Sequence, residues 1–121
     1  MALRRFSGKI AIISGGTKGI GLSTARRIGQ EGCKVVISGR RKENVDQSVS
    51  ILRQEGIDVS GVPCNQGIKE DRLQLIKHTV AKYGGFDCLF INAGVNAHVG
   101  NLLTATESQF DKITFLRCLL P

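Results

Sequence analysis

A chain of 121 residues fits one domain with a sizeable core, and it holds no apolar run long enough for a membrane-spanning helix. The hydrophobic fraction is 41%, yet the aromatics are only five Phe and one Tyr, so Ile, Val, Leu and Ala must build the core, as in α/β proteins. The formal net charge of +7 is unevenly placed: residues 1–42 carry ten of the 17 Lys and Arg and a single acid, Glu31, while the remainder is slightly acidic.

A basic segment of that kind suits a small anionic ligand. Nucleic acid is not expected as a partner, because Phe6 is the only aromatic in the basic segment and no recognition module accompanies it. Cysteines stand at 33, 64, 88 and 118 without a C-x-x-C pair or a nearby histidine at ligand spacing, so neither a metal site nor a disulfide framework is expected. The opening MALRRFSGK lacks the apolar core of a signal peptide, and Leu119-Leu120-Pro121 is not a peroxisomal tripeptide; a cytoplasmic address without membrane contact is the expectation, with an organelle transit peptide, suggested by the three basic residues of that opening, as the alternative.

In chain order, residues 9–14, KIAIIS, form an apolar run without alternation, as expected of a strand buried on both faces of a parallel sheet. Gly15, Gly19 and Gly21 follow in G-x-x-x-G-x-G spacing. One glycine permits the positive φ of a tight turn, one lets backbone approach a ligand, and one lets the next helix pack closely. A helix starting near Gly19 directs its free N–H groups and the positive end of its dipole at this loop, so an anion is the expected occupant, and Lys18 adds a full charge. Ile20, Leu22, Ala25 and Ile28 mark the apolar side of that helix, which Gly32 closes.

Residues 34–38, KVVIS, predict a second, parallel strand. Just beyond it lie Gly39, Arg40, Arg41 and Lys42, where a dinucleotide fold that takes NAD usually carries an acid for the ribose hydroxyls. Cations without a competing carboxylate favour NADP(H), and they oppose a helix dipole, so helix stability does not explain them. A helix over 43–55 has Val45, Val49 and Leu52 inward and ends at Gly56; residues 58–63 predict a third strand, weakened by Gly61 and stopped by Pro63. Asn65 and Gln66 then stand at its carboxyl end, placed to hydrogen-bond an adenine edge or merely to form a polar turn. A helix over 71–83 is expected to turn Leu73, Ile76, Val80 and Ala81 inward, with His78 on its polar side and without an Asp, Ser or Cys partner. Residues 86–91, FDCLFI, predict strand four, followed by Asn92, Ala93 and Gly94, and a further helix is expected to start near residue 108.

SGGTKGIG at 14–21, SGRR at 38–41 and INAGV at 91–95 occur in the order and spacing of the short-chain dehydrogenase/reductases, which the chain resembles from residue 9 to about residue 112. Within that family, residues 44–56 and 92–112 are similar to an NADPH-dependent carbonyl and retinal reductase group. The resemblance implies the N-terminal half of a doubly wound Rossmann fold, a parallel sheet in the order 3-2-1-4 that leaves strand four at an open edge. It also implies a binding half-domain over 1–112 and a divergent apolar tail over 113–121, as from an alternative ending. By the same resemblance Gly15, Gly19, Ile20 and Gly21 cradle a pyrophosphate, while Lys18, Arg40 and Arg41 meet the adenosine 2′-phosphate. Asn65 stands where an aspartate often lies beside adenine, and Asn92, Ala93 and Gly94 border the cofactor ribose. Family chemistry needs a tyrosine, a lysine four residues later and a serine. The one tyrosine here is Tyr83, ahead of strand four, and Asp87 is four residues on, so no catalytic residue is assigned. The reading is an NADP(H)-binding part of an oxidoreductase, not catalytic as this chain; the alternative is a non-catalytic protein that pairs with itself or with full-length relatives.

Overall fold

The computed structural model describes residues 4–92. They form β1 (Ile10–Ser14), α1 (Gly19–Gln30), β2 (Lys34–Gly39), α2 (Lys42–Gln54), β3 (Val59–Pro63), α3 (Lys69–Tyr83) and β4 (Cys88–Ile91). All strand pairs are parallel and the order is β3-β2-β1-β4, so the chain grows outward from β1 to β3 and then crosses back to place β4 on the other side. That reversal puts a crevice beside the carboxyl end of β1.

Register explains the two faces. Ile12 pairs with Val36 and Val36 with Ser60, while Ile13 pairs with Ile37 and Ile37 with Gly61, so adjacent strands present matching residues to the same side. Ala11, Ile13, Val35, Ile37 and Val59 pack under Ala25 of α1 and Val45, Val49 and Leu52 of α2. Ile12, Val36, Val62 and Cys64 face the other way and meet Leu75 of α3. A sheet covered on both faces is why β1 and β2 read as unbroken apolar runs. Gly61 makes that covering possible, because a Cβ there would run into the Val45 and Val49 side chains.

Helices α1, α2 and α3 end against Gly32, Gly56 and Gly84, with φ of +94°, +83° and +86°, conformations that L side chains resist. The expected boundaries shift by one or two residues in α2, α3, β3 and β4. Two expectations are overturned. Leu73, Ile76 and Val80 of α3 are exposed, and the buried side chains are Leu75 and Thr79, spaced i and i+4. Ile20, read as part of the apolar side of α1, is 70% exposed. No helix among the described residues is long and apolar enough to cross a membrane. The helix expected near residue 108 and the tail from 113 lie outside the described residues.

Candidate dinucleotide site

The glycine loop is built by contacts that only small residues permit. Gly15 takes φ +71°, turning the chain off the end of β1. Gly16 then donates its N–H to the Ser38 carbonyl at 3.0 Å, and a Cβ at this position would lie 2.9 Å from the Ile37 side chain. Thr17 sits against Gly39, where a Cβ would come within 2.7 Å of the threonine Cγ2, and Ser48 Oγ of α2 donates to the Thr17 carbonyl at 2.9 Å. Loop, β2 end and α2 are thus fastened together. Gly21 is buried, and its missing Cβ would run into the Gly15 carbonyl and stand 3.0 Å from Asn92 Nδ2. Gly19, at φ +61°, has no atom within 4 Å of where a Cβ would be, so it faces open space.

Lys18 is the N-cap of α1, its backbone is extended, and its side chain makes no capping bond. The first turn of α1 carries no acid, whereas those of α2 and α3 carry Glu43 and the Glu70–Asp71 pair. The amino-terminal N–H groups of α1 and the positive end of its dipole are therefore left for an external anion. Gly39 ends β2, and Arg40 and Arg41 follow it directly; both arginines are exposed, and among the described residues neither pairs with a carboxylate. The carboxyl end of β3 is joined to that of β2 by the Cys64 N–H donating to the Gly39 carbonyl at 2.8 Å. Asn92 closes the group from β4, its N–H donating to the Ser14 carbonyl at 3.2 Å. Ser14 Oγ beneath is buried without a partner among the described residues.

Gly15, Lys18, Gly19, Ile20, Gly21, Arg40, Arg41, Asn65 and Asn92 accordingly gather at one edge of the sheet, contributed by the ends of all four strands. Ala93 and Gly94 lie outside the described residues. Sequence reasoning missed Gly16, Thr17, Gly39 and Ser48 as loop supports. The paired glycines at 15 and 16 were a visible signal for the first; the others depend on contacts between segments far apart in the chain.

Behind this edge, Asn65 accepts the Gly67 N–H on Oδ1 at 3.0 Å, and its own N–H donates to Asp71 Oδ2 at 2.9 Å. Gln66 Nε2 reaches Ser38 Oγ at 3.2 Å. Burial, followed by the nearby Asp71 charge, pushes the Cys64 thiol up to about 11, which keeps it protonated.

Tyr83 belongs to the opposite end of the sheet. Its hydroxyl donates to Asp58 Oδ1 at 3.1 Å just before β3, the Lys34 and Lys82 ammonium groups lie 5.7 and 5.6 Å from its ring centroid, and burial raises its pKa. His78 is half-buried, with Nε2 at 3.2 Å from Ser60 Oγ, so the expectation that it lacked a serine partner is corrected. The Ser60 hydroxyl is buried, which leaves the pair structural.

Residues 9–116 match the short chain dehydrogenase family model. Dehydrogenase/reductase SDR family member 4 of Sus scrofa is 47% identical over 105 residues, which cover 87% of this chain and 38% of the pig protein. A short chain dehydrogenase from Mycobacterium smegmatis, 30% identical, superposes with a TM-score of 0.87 over 93% of this chain and 48% of its own. A short chain dehydrogenase/reductase from Burkholderia phymatum, solved in complex with NAD, is 26% identical with a TM-score of 0.86, covering 94% of this chain and 40% of its own. The chain thus spans less than half the length of these proteins. With its sheet order, its glycine turn and a family match over nearly all its length, the chain belongs to the short-chain dehydrogenases.

Proposed function

We propose that this chain is the NADP(H)-binding part of a carbonyl-reductase-type oxidoreductase, with residues 1–112 as the binding half-domain and 113–121 as a divergent tail. The observation that carries the reading is an uncapped, acid-free helix terminus on a glycine loop fastened to a strand end that bears Arg40 and Arg41. The residues fit such a ligand: open space over Gly19 leaves room for a pyrophosphate, and the amino-terminal N–H groups of α1 supply its donors. Lys18, Arg40 and Arg41 supply charge for a 2′-phosphate, with the guanidinium fork suited to bidentate contact. Asn65 and Gln66 border the base, and Asn92 the ribose beside β4. The structure of the Burkholderia relative with NAD supports a nicotinamide dinucleotide as the ligand class. Bound here, such a cofactor supplies hydride transfer.

The chain's own residues bind and orient the ligand without turning it over. Tyr83 is the only tyrosine, its hydroxyl is committed to Asp58 at the far end of the sheet, and Asp87 occupies the position of the lysine that would lower its pKa. The test is a titration of the purified 121-residue chain with NADPH and NADH, followed by fluorescence and thermal stability. NADPH should bind on the order of tenfold to a hundredfold more tightly, the worth of one or two charge-assisted hydrogen bonds. Equal affinities would remove the 2′-phosphate assignment, and NADPH oxidation with an α-dicarbonyl or retinal substrate would remove the non-catalytic one. A second reading, pairing with another copy or a full-length relative, is favoured by one observation: Leu89 and Ile91 on β4, the edge strand among the described residues, are 41% and 44% exposed.

A further inference from the structure

The base end of the proposed site is a shelf, residues 64–67, in which both oxygens of Asn65 and the Gln66 carbonyl are already engaged. The Asn65 carbonyl accepts the Ile68 N–H at 2.9 Å, Asn65 Oδ1 accepts the Gly67 N–H at 3.0 Å, and the Gln66 carbonyl accepts Arg72 Nη1 at 2.7 Å. Asp71 Oδ2 accepts the Asn65 N–H at 2.9 Å. A backbone N–H only donates, so the atom facing Gly67 must be the amide oxygen, and the orientation of the Asn65 carboxamide is fixed by chemistry. What Asn65 turns away from the loop is Nδ2, a donor. The Gln66 N–H has no partner among the described residues and adds a second donor. The remaining side-chain oxygen, Gln66 Oε1, belongs to an amide held over Ser38, on the α3 face of the sheet.

Resting on the dinucleotide reading above, we infer that Asn65 makes this shelf a donor surface that recognises acceptor atoms of a purine and does not read an exocyclic amine. Adenine offers ring nitrogens as acceptors and its 6-amino group as a donor; unsubstituted purine keeps the ring nitrogens and lacks the amine. An acceptor in place of the Asn65 amide nitrogen would reward the amine, whereas a donor gives it nothing. The site therefore tolerates loss of the 6-amino group, and Asn65 is the residue that sets this tolerance.

The test compares NADPH with nicotinamide purine dinucleotide phosphate, the analogue that lacks only the 6-amino group, by calorimetric titration and ligand-induced thermal shift of the full chain. The two dissociation constants should agree within about threefold, less than one neutral hydrogen bond would separate. Asn65→Asp keeps one oxygen for the Gly67 N–H and turns the other outward, so it should move the ratio by about tenfold toward NADPH. A tenfold preference for NADPH in the unsubstituted chain overturns the inference while leaving the dinucleotide reading intact. If that preference then vanishes in Gln66→Met, the reading of the amine belongs to Gln66. Failure of both nucleotides to bind overturns the dinucleotide reading, and this inference with it.

Discussion

Gly19 and Gly21 are two residues apart and separate two requirements that a glycine motif combines. A Cβ at Gly21 would meet the Gly15 carbonyl, and backbone at a strand end cannot retreat as a flexible side chain can. Gly21→Ala should therefore destabilise the chain by about 1–3 kcal/mol, the usual cost of overpacking, and lower its urea midpoint accordingly. At Gly19 the added methyl would meet nothing, so Gly19→Ala carries only the cost of a positive φ, roughly 1 kcal/mol. That methyl would nevertheless stand in the space assigned to a pyrophosphate. The expected signature is a small stability loss with a large loss of NADPH binding at Gly19, against a stability loss seen without any ligand at Gly21. Midpoints measured without nucleotide, followed by titrations, check it; equal midpoints for the two variants would show that the Gly21–Gly15 approach is not tight.

Elements differed in how plainly they could be read, and the reason is where their contacts lie. β1 and β2 were legible because burial on both faces leaves at least three consecutive apolar positions, and α2 because Val45, Val49 and Leu52 repeat at i, i+4 and i+7. α3 was misread because Leu73, Ile76 and Val80 also fit one helical face, yet the helix turns Leu75 and Thr79 to the sheet. Thr79 hid as a core residue: its hydroxyl donates back to the Leu75 carbonyl at 3.0 Å, which satisfies the polar atom inside the helix. In the candidate site the spacing of Gly15, Gly19 and Gly21 was legible, while Gly39 and Ser48 matter only through Thr17, on a segment distant in sequence. His78 shares the hidden side of α3, where burial and then the Lys82 charge depress its pKa, and the other groups nearby are Ser60, Tyr83 and Asp58. The unfolded imidazole titrates near about 6.5, so the unfolded chain takes up this proton before the folded one. The stabilising contribution is complete above that value and declines as pH falls through the window down to the depressed folded pKa. The urea midpoint should drop between pH 7.5 and 5.5, and His78→Gln should flatten the drop. Glu31, also depressed, titrates below this window and does not interfere. An unchanged slope in the variant would remove His78 as the cause.

At the scale of the whole molecule, the two faces of the sheet are unequally covered. α1 and α2 lie over one, with Phe90 of β4 packed against that cluster, while among the described residues α3 alone serves the other. Leu89 pairs in register with Ile12, which is fully buried, yet Leu89 itself is 41% exposed, so α3 shelters β1 and stops short of β4. Ile91, Leu73, Ile76 and Val80 add further exposed apolar surface from β4 and α3. Among the described residues β4 is the edge of the sheet, and an edge strand of this composition is a template for pairing with another chain, opposed here by repulsion between molecules of charge +7. Salt screens that repulsion, with a Debye length of about 10 Å at 0.1 M and about 3 Å at 1 M, and it does not weaken apolar contact. Association should therefore rise with ionic strength, the reverse of an assembly held by ion pairs. Leu89→Lys places a charge on the edge and should keep the mass measured by light scattering near that of one chain at concentrations where the unsubstituted chain grows. Ile51→Lys, on α2 and similarly exposed, adds the same charge elsewhere and should have little effect. If both substitutions suppress association equally, net charge and not the β4 edge governs it; if the unsubstituted chain stays monomeric in high salt, the edge does not recruit a second copy.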